Sequence, residues 1–342
     1  MIADLSYNLK RSIMTRIINK RTHQHPFDYA YAEQYSLEGV TDRWVNNSYY
    51  FSAHDGQMSI YARLGQRVDV AETWFVIYMN GQLYSLQEEV FSPGNSPLCV
   101  LREGDGWLLH FDGKVNDGTH VKLSARFTGT QRPIDFTSDM PAVRMATGIA
   151  NETWNKDLFN RLQQVSGQCH YEQEGVLTGE VQIDGRTRTF SLPCVRDHSF
   201  GKRDWNYMNN HLWLMAVSPN GQFNYSMVSY PVMSVLEVGS YRDENGLHLM
   251  QQADLDLQLV AQGTVPREID FPMHLDDGRA VRVCAEVLTG VTYHFQNGQY
   301  ILHENIASFT IDGQPYRGIL EIGFNSNADR YFNQRPLNTI HR

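Results

Sequence analysis

The sequence predicts an all-β protein built as two antiparallel β-barrel or sandwich domains with few short helices. Three observations lead there. From residue 26 onward the chain is a succession of short alternating or aromatic-rich runs, among them SYYFSA, TWFVIYM, HVKLSARF, RTFSLP, HLWLMAVS, FNYSMVSY and YRGILEIGF. Eleven Asn-Gly or Asp-Gly pairs, such as Asn80-Gly81, Asp184-Gly185 and Asp312-Gly313, lie among these runs, and such pairs tolerate the positive φ angles of tight hairpin turns. Helical spacing is confined to two stretches.

The first of these opens the chain, where Ile2, Leu5, Leu9, Ile13 and Ile17 recur at helical spacing among Lys10, Arg11, Arg16, Lys20 and Arg21. Residues 1–25 are read as an amphipathic segment that either docks on the protein's own barrel or contacts an anionic membrane surface. It has no uninterrupted apolar core and no small-residue cleavage site, so a cytoplasmic location is expected, peripheral to a membrane if the basic helix adsorbs. Residues 26–190 are expected to form the first β-domain and 191–342 the second. In the first, Trp154, Leu158, Leu162 and Val165 line one face of NETWNKDLFNRLQQV, a short helix expected to cover a barrel end. The hairpins GEVQIDGRTRTFSL and FTIDGQPYRGILEIGF share one pattern of strand, Asp-Gly turn and strand. Asp-Gly turns are so common in β proteins that this likeness is compatible with related domains and with chance alike.

Composition narrows the function. With 342 residues, 42% of them hydrophobic, the chain can bury two cores. Its net charge of -9, with Lys and Arg scattered beyond the N-terminus, argues against nucleic acid as a partner. No apolar stretch approaches the roughly 20 residues of a membrane-spanning helix. Cys99, Cys169, Cys194 and Cys284 lie far apart without a CxxC pair, which suits neither zinc nor a disulfide scaffold, so they are read as reduced, buried thiols. His23 and His25 form an HxH without a third ligand at recognisable spacing, and no metal is expected. A phosphate-binding loop, a dinucleotide fingerprint and a GxSxG elbow are all missing, so no cofactor is expected. The expected partner is an apolar small molecule, held in an interior or interdomain pocket lined by aromatic side chains such as Trp74, Trp213 and Tyr225.

One stretch concentrates charge. After RTFSLP the alternation breaks at Pro193, and RDHSFGKRDW follows, with Asp197 and Asp204 seven residues apart and Gly201 between them. Partly buried, these groups would form an ion-paired network in which Arg196 and Arg203 lower the pKa of one carboxyl while desolvation raises another. Such a network supplies one ionised and one protonated acid at neutral pH. The bland alternative is a salt-bridge cluster that locks two domains together. Asp197, His198 and Asp204 are the candidate catalytic residues; Arg196, Ser199, Phe200, Arg203 and Trp205 are candidates for substrate binding. Glu321, an acid within an otherwise apolar strand, joins them, because an inward acid without a partner is costly. Glu72 and Glu304, near strand edges, weigh less, as do His54, His211 and His303.

RDHSFGKRDW resembles the RDHSWG-RDW signature of the carotenoid 1,2-hydratase (hydroxyneurosporene synthase)-like, or AttH-like, superfamily. HPFDYAYAEQY, DRWVNNSYYFSAHDG, AETWFVIY and ASFTIDGQPYRGILEIGF are similar to a branch of it without settled activity. The resemblance covers nearly the whole chain and implies tandem lipocalin-type β-domains. Phe200 departs from the usual Trp, keeping an aromatic wall but losing an indole donor, and Cys194 stands where Gly is frequent. Cys194 is read as a small buried filler. Relatives include hydratases of isoprenoid double bonds and fungal Diels-Alderases. The resemblance thus implies a cofactor-independent enzyme on an isoprenoid- or polyketide-like molecule, working at a C=C bond by hydration, dehydration, isomerisation or cyclisation. The alternative is a non-catalytic, lipocalin-like carrier of a hydrophobic metabolite, since fold alone does not separate the two.

Overall fold

The computed structural model describes residues 6–24, 26–165 and 168–342. Its hairpins use the glycine pairs read in the sequence. Strand β3 (Ala71–Met79) turns into β4 (Gln82–Phe91) at Asn80 and Gly81 with φ of 54° and 77°. Likewise β9 (Cys169–Ile183) turns into β10 (Arg186–Lys202) at Asp184 and Gly185 with 46° and 79°. Two consecutive left-handed residues give the turn whose twist matches antiparallel strands. Asp112-Gly113 is an exception and lies inside β6 (Gly106–Lys114).

The first sheet runs in the order β4-β3-β2-β1-β10-β9-β7-β6-β5, with β1 (Val45–His54), β2 (Met58–Gln66), β5 (Leu98–Glu103) and β7 (His120–Gly129); the short β8 (Ile134–Asp135) also pairs with β9. The sheet rolls up, so that Phe75 of β3 stacks on Phe111 of β6 with ring centroids 3.7 Å apart. Phe51, Ile60, Leu109, Phe127 and Leu177 fill the roll. The second unit closes completely. Strands β11 (Asn210–Ser218), β12 (Gly221–Tyr230), β13 (Met233–Asp243), β14 (Gly246–Ala253), β15 (Glu268–Leu275), β16 (Ala280–Phe295), β17 (Tyr300–Ile311) and β18 (Gln314–Asn325) form an eight-stranded antiparallel barrel. Leu214, Phe223, Tyr225, Phe271 and Phe309 belong to its packed interior.

The boundary expected near residue 190 falls inside β10, which runs 17 residues from Arg186 to Lys202 and pairs with β9 from Arg186 to Phe200. Pairing with β1 begins only at Cys194, so one edge of β10 is free as far as Pro193, where a residue without an N–H is tolerated. The chain crosses to the barrel at 203–209, through a 3-10 turn at Trp205–Tyr207. The charged motif therefore belongs to the first sheet and leads into the second unit.

Helix α1 (Tyr7–Gln24) docks on α3 (Ala142–Asn151), burying Lys10 and Met14, and the Lys10 ammonium donates to the Glu152 carbonyl at 2.8 Å. The docked face is not the apolar stripe read in the sequence. Leu9 and Ile17 stay exposed and Ile13 packs only in part, because the contact with α3 is centred on Met14. Ile2, Leu5 and His25 lie outside the described residues. Helix α4 (Lys156–Val165) forms where expected, with Trp154, Leu158 and Leu162 packed against Val232 and Met233; the Val165 side chain lies outside the described set. Helix α3 carries little sequence signal because Gly148, a poor helix former, sits within it. A Cβ there would stand 2.7 Å from the Val235 carbonyl oxygen, so glycine lets the helix lie against β13.

Barrel closure rests on a similar approach. A Cβ on Gly318 of β18 would stand 1.8 Å from the Met215 carbonyl oxygen of β11. Gly318→Ala is expected to part these strands at a cost of about 3 kcal/mol, read as a lowered denaturant midpoint; an unchanged midpoint would refute this strand pairing.

Candidate active site between sheet and barrel

Alternation along β10 splits the motif between two faces. Arg196 and His198 point into the first sheet's core. The Arg196 guanidinium lies 5.1 Å from the Trp107 ring centroid and donates to Gln173 Oε1 at 2.9 Å. It also donates to Glu33 Oε1 at 2.5 Å, fixing α2 (Tyr29–Glu33) against the sheet. His198 Nδ1 meets the Tyr171 hydroxyl at 2.6 Å, and its Nε2 meets Asn47 Oδ1 at 2.8 Å. Burial, reinforced by the positive charge of Arg196, holds the imidazole well below its ordinary value, and His198 is neutral.

The opposite face of the sheet meets the barrel. Strand register aligns Trp74 of β3, Arg63 of β2, Tyr50 of β1, Asp197 of β10 and Glu172 of β9 in one row. The barrel wall presents a second row, Glu304 of β17, Glu321 of β18 and Trp213 of β11. Three contacts join the first row to the barrel. The Tyr50 hydroxyl donates to Glu304 Oε1, the Tyr50 ring lies 5.6 Å from that of Trp213, and Asn224 Nδ2 of β12 donates to Glu172 Oε2 at 2.6 Å. Tyr61, Val76, Met215, Leu302 and Ile319 pack around them as a separate apolar core.

Within this seam the acids fall into unlike states. Burial pushes the Glu172 carboxyl up to about 8, with His170 opposing the shift and the charge of Asp197 adding to it. Glu172 is therefore protonated at neutral pH, and its Oε1 is buried without a well-formed hydrogen bond. His170 is ion-paired with Asp197 and stacks on Phe136 at 4.5 Å. Burial alone would depress His170, but the charge and hydrogen bond of Asp197 outweigh it and raise its pKa. Burial likewise lifts Glu304 well above the carboxylate range, aided by the charge of Glu321. For Glu321 the upward push of burial is overcome by His211, whose Nε2 donates to Oε1 at 2.6 Å, and its pKa falls. His211 Nδ1 meets the Tyr300 hydroxyl at 2.5 Å. Further buried polar atoms without hydrogen-bond partners lie on the strands of these two faces, among them both amide atoms of Asn210, Asn224 Oδ1 and Glu304 Oε2.

The structure brings some of the residues singled out in the sequence into this seam and carries others away. Asp197, Trp74, Trp213 and Glu321 belong to the two rows. Ser199 accepts from Arg203 Nη2 at 3.1 Å, and the Arg203 guanidinium lies 5.3 Å from the Trp205 ring centroid. Asp204 is exposed; it caps the 3-10 turn by accepting from Asn206 N at 3.0 Å and takes a hydrogen bond from Gln296 at 2.7 Å. It makes no hydrogen bond to Asp197, and the neighbouring acid is Glu172. Phe200 stacks on Tyr35 at 3.9 Å, on the inner side. Tyr225 lies inside the barrel, donating to Glu237 at 2.6 Å in a packed core. Sequence reading passed over His170 and Glu172. The signal available was the run CHYEQE, in which strand alternation puts His170 and Glu172 on one face and the buried Tyr171 on the other. Cys194 is fully buried, which raises its thiol pKa, as a filler's would be.

His170, Glu172 and Asp197 each offer a ligand atom within 4.8 Å of the others. To take a cation, Glu172 and His170 would first have to lose protons that burial and Asp197 respectively hold in place.

Two β-units of lipocalin type, joined by a short crossing and sharing an acidic seam, define the class of protein. Residues 38–326 match the family described as a domain of unknown function (DUF7064), and the chain belongs to that family. Among solved structures it is similar to one from Nitrosomonas europaea described as AttH, at 12% identity and a TM-score of 0.59, covering 87% of this chain and 98% of that one. It is also similar to kievitone hydratase from Nectria haematococca, at 12% identity and a TM-score of 0.55, covering 89% and 94%. No curated protein sequence matches. The chain thus shares the tandem lipocalin-type fold of the carotenoid hydratase-like proteins, as its motif implied.

A carboxyl raised on folding keeps a proton that the unfolded chain releases, so it lowers stability as pH rises from about 4.5 to about 8. At about 1.4 kcal/mol per pH unit the loss is on the order of 4–5 kcal/mol. Glu172→Gln is expected to remove that loss and to melt above the wild type at pH 8, with a smaller difference at pH 5. Parallel melting curves across pH would show that Glu172 ionises as an ordinary surface acid.

Proposed function

We propose that this chain is a cofactor-independent acid–base enzyme that acts at a C=C bond of an apolar, isoprenoid- or polyketide-like molecule held in the seam. The observation that carries the reading is Glu172: a buried, protonated carboxyl whose Oε1 has no well-formed hydrogen bond, beside the Asp197–His170 pair and the Trp213 indole. In hydration, the π pair of the alkene takes the proton of Glu172, leaving a carbocation that the faces of Trp213 and Tyr50 stabilise. Water adds to the cation and gives a proton to Asp197. That proton passes to the Glu172 carboxylate, its cross-strand neighbour, which restores the starting state. Dehydration is the reverse; isomerisation and cyclisation use the same acid and return the proton from carbon instead of water. The hydratase named among the similar structures supports this class of chemistry. The charges of Arg63 and Arg203 act on the acids of the seam, and Glu304 holds Tyr50 through its hydroxyl. Helix α1 leaves Leu9 and Ile17 outward together with Arg16, Lys20 and Arg21, a surface suited to an anionic bilayer from which a water-insoluble substrate would be collected.

Untargeted metabolite profiling of cells with and without the gene tests the reading without naming the substrate. The expected result is a product that differs from its precursor by water or by rearrangement, formed by the wild type, abolished by Glu172→Gln and unaffected by a chelator. Asp197→Asn is expected to abolish it as well while costing only about 1 kcal/mol of stability, because its partner His170 is 40% exposed and the pair is screened by water. A metabolite retained unchanged by both wild type and Glu172→Gln would make the protein a carrier.

A further inference from the structure

The inner half of the motif faces away from the seam, toward a groove of about 500 Å³ at one end of the first sheet. Three of its wall residues are each held by a motif side chain. Tyr35 stacks on Phe200 at 3.9 Å with the rings 13° from parallel. Tyr49 stacks on His198 at 4.3 Å and 16°. Asn47 Oδ1 meets His198 Nε2 at 2.8 Å, leaving the Asn47 amide group only long contacts, at 3.4 Å to the Tyr35 carbonyl and 3.3 Å to the Tyr49 hydroxyl. The apolar part of the wall comes from Leu37, Val40, Val68, Val70, Ala71 and Pro93.

Arg67 adds charge to this wall. Its Nε has no hydrogen-bond partner and makes only a long ion pair, at 3.8 Å, with Glu72 Oε1, while Glu72 Oε2 is taken by Arg63. Its two terminal nitrogens reach carbonyl oxygens only at 3.4 and 3.5 Å, on Arg43 and Arg203. Among the described residues of the wall the one acid, Glu38, is exposed. Donors in the wall are thus undersupplied with acceptors, in a volume within the range of small-molecule sites.

We infer that this groove is a second ligand site, built for an apolar, ring-bearing molecule that carries one hydrogen-bond-accepting group, such as a phenolate, carboxylate or sulfonate. The rings of the ligand pack on Tyr35 and Tyr49, its aliphatic edge meets the valines, and its acceptor takes hydrogen bonds from Asn47 and Arg67. The neutral imidazole of His198 suits this role, since it holds Asn47 and Tyr49 in place without adding a charge to the core. Phe200 does the same for Tyr35, and a flat ring is all that position requires. This assignment is independent of the chemistry proposed for the seam.

The probe is 8-anilinonaphthalene-1-sulfonate, which combines rings with one anionic acceptor, titrated by fluorescence into the full chain. Saturable binding at one site is expected. Val40→Trp and Val70→Trp fill the groove from two separate segments and are expected to weaken binding by about tenfold or more, with circular dichroism and melting temperature as checks on folding. If one variant fails to fold, the other still decides. Arg67→Met is expected to weaken the sulfonate probe more than the uncharged probe N-phenyl-1-naphthylamine. Glu172→Gln and Trp213→Ala, which alter the seam, are expected to leave both affinities unchanged. Absence of saturable binding, or binding that survives both tryptophan variants and is lost in the seam variants, would overturn the assignment.

Discussion

Between Cys194 and Ser199, strand β10 is paired on both edges and buried on both faces, and the rest of the molecule depends on that position. A strand alternates its side chains, so a run of consecutive charged and polar residues in a central strand must be shared between two interiors. Arg196 and His198 go to one, Asp197 and Ser199 to the other. Each interior then has to solvate its share without water. In the first sheet, Glu33, Gln173, Tyr171 and Asn47 do so through hydrogen bonds. In the seam the solution is partial, and acids remain whose charge the surroundings do not fully accommodate.

That difference separates architecture from chemistry. Arg196 is ion-paired and surrounded by aromatic rings, so its charge is spent on holding α2 and the sheet together. Glu172 sits across one strand pair from Asp197, and two carboxylates at that spacing in a low-dielectric seam cannot both be ionised cheaply. The Glu304–Glu321 pair repeats the situation on the barrel wall, with His211 deciding which carboxyl keeps the charge. Glu172 and Glu304 are therefore held neutral in the seam by register and burial and not by sequence neighbours.

The fold was legible in the sequence because its signals are local. Asn80-Gly81 and Asp184-Gly185 need only their own φ preferences to mark a hairpin, and the alternating runs need only a period of two. Glu321 was also legible, since an acid among apolar strand residues calls for a partner. What was hidden depends on pairing between distant strands. Glu172 becomes a neighbour of Asp197 only through the β9–β10 register, and Tyr50 reaches Glu304 across 254 residues of sequence. Asp204 misled for the opposite reason. Its charge looked like a partner for Asp197, but a carboxylate placed just before a helical turn has a local use as a cap, and the turn at Trp205–Tyr207 takes it. The end of the first domain was misplaced because Pro193 resembled a strand terminator, although a half-free edge accommodates it.

The two units also differ in how they can come apart. Every barrel strand is hydrogen-bonded on both sides, so freeing one means breaking two ladders at once. The first sheet ends at β4 and β5, where a strand can peel away by breaking one, and where Val90 and Leu101 are already exposed. Fluctuations of the native state are therefore unequal: amide hydrogens should exchange from these two margins inward, with β10 and the barrel opening last. A large ligand admitted to the seam would then draw its room from the yielding sheet, while the barrel serves as the fixed wall against which the acids are aligned.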